Sequence, residues 1–352
     1  MLWSIAAIAL FFLLDGVLFH SGIYNLYVEP DSSAGEVEGH LYWLEHSPRV
    51  AHEVLVVGDS RIAAGFSAPM ADAATGSRLH FRNFGLAGSA PRVWYYVLRD
   101  ADPSRDRFDA IVLALEQYSD EDLIEDTRDR PADPRFLSGR LHYTDCVEFA
   151  HSYSSHELRG AALTGCILRG ITFRHDLQAF LQTPAQRVRH AHDWRKHGLE
   201  YSNRYEGKPE SMEGVSADFT NRSLHFPQGL TEQQQGSARA TLLPEPAPQT
   251  GRQTEYRRRW LGAILDLYRE SKTRIIFAEL PRAPLPKPEA NTPARFLEEA
   301  SRRPRVAVLP ASTFRDLERP DFFADGLHLN RSGRPIFTTR MAEQVSAVLG
   351  RR

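Results

Sequence analysis

The stretch Glu53-Val-Leu-Val-Val57, followed at once by Gly58-Asp59-Ser60, is an apolar run that ends in polar turn residues. Short apolar runs rich in Val and Ile indicate strands that are buried on both faces of a parallel sheet. Similar runs occur at 109–115, 273–280 and 305–309, and a shorter one at 79–82. Helical patterns lie at 94–101, 256–271, 292–302 and 332–349. Strand alternating with helix predicts an α/β sandwich of the doubly wound, flavodoxin-like kind.

The composition is that of a globular chain with balanced charge. The 352 residues include 43 basic and 45 acidic side chains, for a net charge of −2. This balance gives no electrostatic reason to expect nucleic acid as a partner. Cys146 and Cys166 cannot supply a four-ligand zinc site, and they form either one disulfide in an oxidising compartment or two small buried side chains. We expect no metal and no cofactor, and interpret His190, His192 and His197 as a solvated helix face.

The first 22 residues predict a signal-anchor. Residues 2–19 read LWSIAAIALFFLLDGVLF, which is interrupted only by Ser4, Asp15 and Gly16. A helix of this length spans roughly 27 Å, close to the bilayer core of about 30 Å. Without a basic n-region or a clear cleavage site, an uncleaved transmembrane helix is favoured over a cleaved signal peptide. Because a carboxylate is costly in lipid, Asp15 is expected near the far interface or against a partner helix.

The remaining chain divides by composition. Residues 23–50 read as a linker and 51–350 as the α/β domain, with an insertion at about 118–253 that is too long for a plain crossover. We interpret this insertion as a lid over the carboxyl edge of the sheet. Its second half, 198–251, is rich in Pro, Gln, Ser, Gly and Asn, so we expect loops there and no core strand. This half is either a surface that binds a polar polymer or a disordered loop without a function.

Three short motifs contain residues suited to catalysis. Ser60 follows a buried strand, and Asn83-Phe-Gly-Leu-Ala-Gly-Ser89 contains two glycines whose amides could donate to an oxyanion. Asp325-Gly-Leu-His328 supplies a histidine base with a carboxylate that can orient it. Taken singly, the Ser60 motif is equally compatible with helix capping and the glycine motif with a plain turn, and Asp325 or His328 alone would most often be a structural residue.

Together, the order GDS, then Gly-x-x-Gly, then DxxH before the last helix resembles the SGNH (GDSL-like) hydrolases. The resemblance implies a three-layer α/β sandwich in which Ser60 is the nucleophile and Asp325 and His328 act as acid and base. It also implies that Gly88 and the Ser60 amide form the oxyanion hole. Gly85 is the alternate donor in another register of the turn, and Asn83 is a further candidate binding residue.

One feature departs from that family. Its third block usually carries an asparagine that completes the oxyanion hole, whereas this chain has Gln117 in the corresponding stretch, with a similar carboxamide on a longer stem. The departure resembles a branch of membrane-anchored proteins that modify cell-surface polymers. That likeness implies a single-pass protein of the bacterial inner membrane with an extracytoplasmic domain. It further implies a polysaccharide or other hydroxyl-bearing acceptor and a membrane-bound O-acyltransferase as partner.

The sequence therefore predicts a serine-dependent acyl esterase or O-acyltransferase. The alternative is a non-catalytic subunit with the same fold that binds or assembles a polysaccharide modification or export system. The missing asparagine favours that alternative, and the intact Ser60, Asp325 and His328 argue against it. The aromatic run Trp94-Tyr95-Tyr96 could line a sugar site, although core packing is the preferred interpretation.

Overall fold

The computed structural model describes residues 2–116, 130–244, 254–286 and 295–350. Its contacts divide the chain into two units. We call them the helical unit, comprising Met1–Pro48, Ser89–Pro103 and Asp126–Ser202, and the sheet unit, comprising Arg49–Gly88, Ser104–Glu125 and Asn203–Arg352.

The sheet unit is built on a five-stranded sheet in the order β2-β1-β3-β6-β7, with every neighbouring pair parallel. Its strands and those of a small antiparallel hairpin (β4 and β5) are β1 Glu53–Gly58, β2 His80–Gly85, β3 Ala110–Leu115, β4 Ser216–Asp218, β5 Ser223–His225, β6 Arg274–Glu279 and β7 Val306–Val308. The order of the parallel strands matches that of flavodoxin-like folds. The prediction of an α/β protein with a buried parallel sheet is confirmed.

Helices account for most of the other described residues. They are α1 Leu2–Asp15, α2 Ser33–His46, α3 Ser60–Gly65, α4 Ala68–Ala74, α5 Pro91–Ala101, α6 Asp133–Leu137, α7 Cys146–His151, α8 His156–Ile167, α9 Arg169–Thr172, α10 Arg174–Gln182, α11 Pro184–Arg204, α12 Glu232–Leu242, α13 Thr254–Leu267, α14 Arg295–Ser301 and α15 Gly333–Gly350. The sheet unit contains α3, α4 and α12 to α15, and the helical unit contains the rest.

The N-terminal helix α1 has 14 residues and continues into a π-helical turn at Gly16–His20. Among the described residues, no helix is both long and apolar enough to cross a membrane. The transmembrane helix predicted over 1–22 is therefore not found. The change of helix type occurs after Asp15, whose buried carboxylate accepts hydrogen bonds from the amides of Arg169 (3.2 Å) and Gly170 (2.8 Å). Those bonds satisfy the free amides at the start of α9.

The segment from 203 to 244 belongs to the core of the sheet unit. Met212, Val215, Ala238 and Leu242 are buried in the same apolar cluster as the strand residues of the sheet. None of the five strands of the core sheet lies in the described part of 198–251, but the expectation of loops there misses these core residues and the helix α12. The physical reason is that single apolar residues, widely spaced in a polar stretch, fill gaps against the sheet without forming a periodic pattern of their own.

The structure of the helical unit decides how the two cysteines pair and whether Trp94 and Tyr96 are buried. Cys146 and Cys166 form a disulfide that joins the start of α7 to the end of α8. Trp94 and Tyr96 are 4% and 2% exposed, and the Trp94 indole donates to Ser89 Oγ at 2.7 Å. Core packing is thus the correct interpretation of these two aromatic residues.

Candidate active site

The turn between β1 and α3 places Ser60 at the carboxyl edge of the sheet. Asp59 caps α3 by accepting a hydrogen bond from the Arg61 amide at 2.9 Å. A Cβ atom at Gly58 would lie 2.4 Å from Cγ1 of Ile62, so only glycine allows so tight a turn here. Ser60, the first residue of α3, is partly buried and retains some contact with solvent.

The three predicted catalytic residues lie together in the sheet unit. His328 Nε2 is 2.9 Å from Ser60 Oγ, across a sequence separation of 268 residues. On the other side of the ring, His328 Nδ1 lies 3.0 Å and 2.9 Å from the two carboxylate oxygens of Asp325. This is the geometry in which a histidine can take the proton of a serine hydroxyl while a carboxylate orients the ring.

Asp325 is held in its ionised form. Burial raises the pKa of its carboxyl, but the hydrogen bonds from the His328 ring and from the amides of Leu327 (2.8 Å) and His328 (2.9 Å) outweigh burial and keep that pKa well below its usual range. An ionised carboxylate only accepts hydrogen bonds, so Nδ1 of His328 carries the ring proton. Nε2 is then the acceptor that faces the hydroxyl of Ser60.

Lys208 is a member of the site that sequence reasoning missed. Its Nζ lies 3.3 Å from Asp325 Oδ2, and its backbone carbonyl accepts a hydrogen bond from the Arg331 amide at 2.8 Å. It is one of only four lysines in the chain. Lys208 lies in no recognisable motif, and the scarcity of lysine in this chain is the one sequence feature that sets it apart.

The segment that follows Lys208 packs against the Asp325–His328 loop and forms hydrogen bonds with it. Ser237 Oγ accepts from the Gly326 amide at 3.1 Å, and Gln234 Nε2 donates to the Ala324 carbonyl at 2.9 Å. A Cβ at Gly326 would come within 2.4 Å of the Ser237 carbonyl, so α12 lies directly against this loop. The second half of the predicted insertion thus supports the loop that carries the acid and base.

Asn83 and Gly85 lie in the last part of β2 and not in the turn after it. The Asn83 carboxamide donates to the carbonyls of Ile62 (3.0 Å) and Phe66 (2.9 Å), and its oxygen accepts from the Gly85 amide at 2.9 Å. A Cβ at Gly85 would lie 2.2 Å from the Ala63 amide. These contacts hold β2 close to α3, and the amide of Gly85, the alternate oxyanion donor, is directed at Asn83 Oδ1.

Gly88 remains the candidate for the oxyanion donor beside the Ser60 amide. It has a φ of +76°, a conformation that favours glycine, and a Cβ there would meet open space. The Ser60 amide, at the first position of α3, has no acceptor within its helix. Gln117, the suggested replacement for the family's asparagine, lies outside the described residues.

Arg61 supplies a buried positive charge next to the nucleophile. Its Nη2 lies 2.6 Å from Asp59 Oδ2, and its Nη1 lies 3.8 Å from Glu116 Oε1. Burial lowers the pKa of Arg61, but the two carboxylates outweigh it and raise that pKa overall. Burial likewise raises the pKa of Asp59, and Arg61 brings it below the usual value. From the sequence, helix capping by Asp59 was one of two equally compatible interpretations, and nothing in it indicated this ion pair.

His192 of α11 is exposed, and the other two histidines of this helix each pair with a carboxylate. His190 Nδ1 is 3.0 Å from Glu29, which also pairs with Arg187 at 2.8 Å, and His197 pairs with Glu200 at 3.5 Å. Among the residues that the structure describes, Glu29, Asp31 and His190 are the group whose ligand atoms lie within 4.8 Å of one another. Because Arg187 neutralises Glu29, this cluster is better understood as an ion-pair network.

Ser60, His328 and Asp325 therefore form one hydrogen-bonded series at the carboxyl edge of a parallel sheet. Lys208 lies beside Asp325 at one end of the series, and Arg61, which is paired with Asp59, follows Ser60 in the chain. No protein-family model and no curated protein matches this chain. These contacts are therefore the basis for assigning its chemistry.

Proposed function

We propose that the protein is a serine-dependent acyl esterase or O-acyltransferase of the SGNH type. The observation that carries the proposal is the 2.9 Å contact between Ser60 Oγ and His328 Nε2, with Asp325 on Nδ1. A serine hydroxyl is a weak nucleophile until a base takes its proton, and this contact supplies that base. A serine hydroxyl activated in this way can attack the carbonyl carbon of an ester.

The reaction proceeds in two acyl transfers. Ser60 Oγ attacks the ester carbonyl while His328 Nε2 takes the hydroxyl proton, and the same proton then passes to the departing alkoxide as the ester bond breaks. In the second transfer, water or an acceptor hydroxyl attacks the acyl-serine and its proton moves to His328. The bond between the acyl group and Oγ then breaks, and His328 passes the proton to Ser60 Oγ, which regenerates the serine. The amides of Ser60 and Gly88 are the proposed donors to each oxyanion. Exclusion of water decides between hydrolysis and transfer.

The proposal also covers the substrate and the cellular location of the protein. By its resemblance, the protein acts on an extracytoplasmic polysaccharide at the bacterial inner membrane, beside a membrane-bound O-acyltransferase. The Cys146–Cys166 disulfide supports an oxidising compartment. The N-terminal helix supports contact with lipid, since its exposed side chains include Trp3, Leu10, Phe11, Phe12, Leu13 and Leu14.

The test is turnover of a small acetyl ester. Ser60→Ala and His328→Ala should each lower kcat/KM by at least about 10³-fold, because either change removes the nucleophile or its base. Ser332→Ala, an exposed serine of the same unit, is the matched control and should retain full activity. Wild-type rates in both site variants would refute the catalytic assignment.

A fluorophosphonate label distinguishes the enzyme from a non-catalytic subunit with the same fold. Only an activated serine reacts quickly with this reagent. Rapid labelling of Ser60 that is lost in His328→Ala supports the enzyme. If the folded wild-type protein is not labelled, the binding or assembly subunit becomes the better interpretation.

A further inference from the structure

Asp59 and Arg61, the residues on either side of Ser60 in the chain, form a bidentate ion pair. Arg61 Nη2 lies 2.6 Å from Asp59 Oδ2, and Nε lies 3.1 Å from Oδ1 and 3.2 Å from Oδ2. The Arg61 side chain is only 8% exposed, and an arginine is rarely so buried unless it is paired. The pair is therefore a fixed part of the turn that carries the nucleophile.

The two carboxylate oxygens of Asp59 have different partners. Oδ1 also accepts a hydrogen bond from the Arg61 amide at 2.9 Å, and this bond caps α3. Among the described residues, Oδ2 accepts hydrogen bonds from the Arg61 guanidinium alone. Without that guanidinium, Oδ2 would be a partly buried, charged acceptor that lacks a partner, which is a costly state.

Asp59 lies close to both groups on which the proposed reaction depends. The next residue, Ser60, has an amide without an acceptor in α3, and this amide is a proposed oxyanion donor. Burial raises the pKa of the Asp59 carboxyl, Arg61 lowers it, and His328 lowers it further, so the charge of Asp59 also acts on the base. An unpaired carboxylate at this position would compete for the free amide and repel the oxyanion.

We propose that Arg61 is a positioning residue for the reaction at Ser60. It directs the Asp59 carboxylate to its own guanidinium and offsets the negative charge, so that the Ser60 amide stays available to the oxyanion. Glu116 Oε1, at 3.8 Å from Arg61 Nη1, attracts the other side of the guanidinium and helps to hold it in place. This inference rests on the proposed function.

The effect belongs to the transition state. A small acetyl ester is uncharged when it binds, and the negative charge on its oxygen develops only as Ser60 attacks. Arg61 should therefore contribute to kcat much more than to KM.

The test is a charge cycle, measured by hydrolysis of a neutral acetyl ester. Arg61→Met leaves the Asp59 charge uncompensated and should lower kcat about 10–100-fold, with KM changed by less than about threefold. Adding Asp59→Asn removes that charge and keeps a side chain that caps helices, so the double variant should have a kcat at least about fivefold above that of Arg61→Met. A pair with a purely structural role would show no such recovery.

Two further variants and a control complete the design. Arg61→Lys keeps the positive charge without the bidentate contact and should retain more of kcat than Arg61→Met does. Arg61→Gln takes the place of Arg61→Met if the latter does not fold, and the same recovery on adding Asp59→Asn is expected. Arg319→Met is the control, because Arg319 forms a similar bidentate pair with Asp321 in the same unit but is 61% exposed, and kcat and KM should not change.

The outcomes separate this inference from the proposed function. If Ser60→Ala is inactive but Arg61→Met keeps the wild-type kcat, or if the double variant does not recover, the role of Arg61 is overturned and the catalytic assignment stands. If Ser60→Ala turns over the ester at the wild-type rate, the proposed function fails, and this inference fails with it.

Discussion

Lys208 is the residue that modifies the electrostatics of the Ser60–His328–Asp325 series. Its ammonium group lies 3.3 Å from Asp325 Oδ2 and is 44% exposed. Exposed ion pairs of this kind contribute only about 0.2–1 kcal/mol because water and salt screen them. The Lys208 ammonium group therefore has only a small effect on the Asp325 carboxylate. The hydrogen bonds from His328 and Leu327 already keep that carboxylate ionised.

We predict that Lys208→Met shifts the pH dependence of ester hydrolysis. Without the lysine, the negative charge of Asp325 is less compensated and stabilises a protonated His328 more strongly. The acid limb of kcat/KM should therefore move upward by about 0.2–0.7 pH unit. The measurement is a pH–rate profile at low ionic strength.

Lys272→Met is the control for this shift. Lys272 is exposed in the turn before β6 and belongs to the same unit, so its loss changes net charge equally. An identical shift in both variants, or a downward shift in Lys208→Met, would contradict the role given to Lys208. High salt should reduce the shift, because the pair is screened.

At the scale of elements, β2 and α3 touch through their backbones. Gly85 ends β2, and a Cβ there would lie 2.2 Å from the amide nitrogen of Ala63 in α3. Backbone cannot move aside as a flexible side chain can, so either α3 or β2 would have to shift. Because α3 begins with Ser60, such a shift would also displace the nucleophile from His328.

Gly85→Ala should therefore destabilise the protein by about 1–3 kcal/mol and lower ester hydrolysis as well. Gly236→Ala is the matched control, because a Cβ at this exposed position of α12 meets nothing within 4 Å. That change should raise stability by about 0.5–1 kcal/mol through helix propensity. Urea unfolding of both variants gives the comparison, and equal effects of the same sign would refute the packing argument.

At the scale of the whole molecule, the sheet unit draws its core from distant parts of the chain. Met212 is fully buried in the apolar cluster of the sheet, and its amide donates to the carbonyl of Phe323 at 2.9 Å, two residues before Asp325. The segment around Met212 thus contributes both to the core and to the support of the catalytic loop. Its removal would expose apolar surface of the sheet.

Met212→Ala should lower the free energy of unfolding by about 2–5 kcal/mol, because it leaves a cavity in the core. Met70→Ala, at a methionine of α4 that is 38% exposed, should cost less than about 1 kcal/mol. Chemical denaturation followed by circular dichroism measures both. If Met212→Ala were as mild as Met70→Ala, the segment would be peripheral, as the composition alone suggested.

The sequence by itself determined the strands, the helices that follow them and the three motifs that carry Ser60, Asp325 and His328. These features have local causes: buried strands require continuous apolar runs, and tight turns require glycine. The resemblance of the motif order to that of SGNH hydrolases also predicted that Ser60, Asp325 and His328 would lie together. Asn83 and Gly85 were expected in a turn after a strand at 79–82 but lie within β2, and the hydrogen bond from Asn83 to the Ile62 carbonyl in α3 has no local signature.

Only the tertiary structure decided the partners that come from far along the chain. Lys208 and Asp325 are 117 residues apart, and Asp15 meets the start of α9 across about 154. No periodicity records such contacts, since each depends on how separate elements pack. The pairing of the cysteines and the burial of Met212 were settled in the same way. Local patterns specify the elements, and packing between those elements specifies the surroundings of each catalytic group.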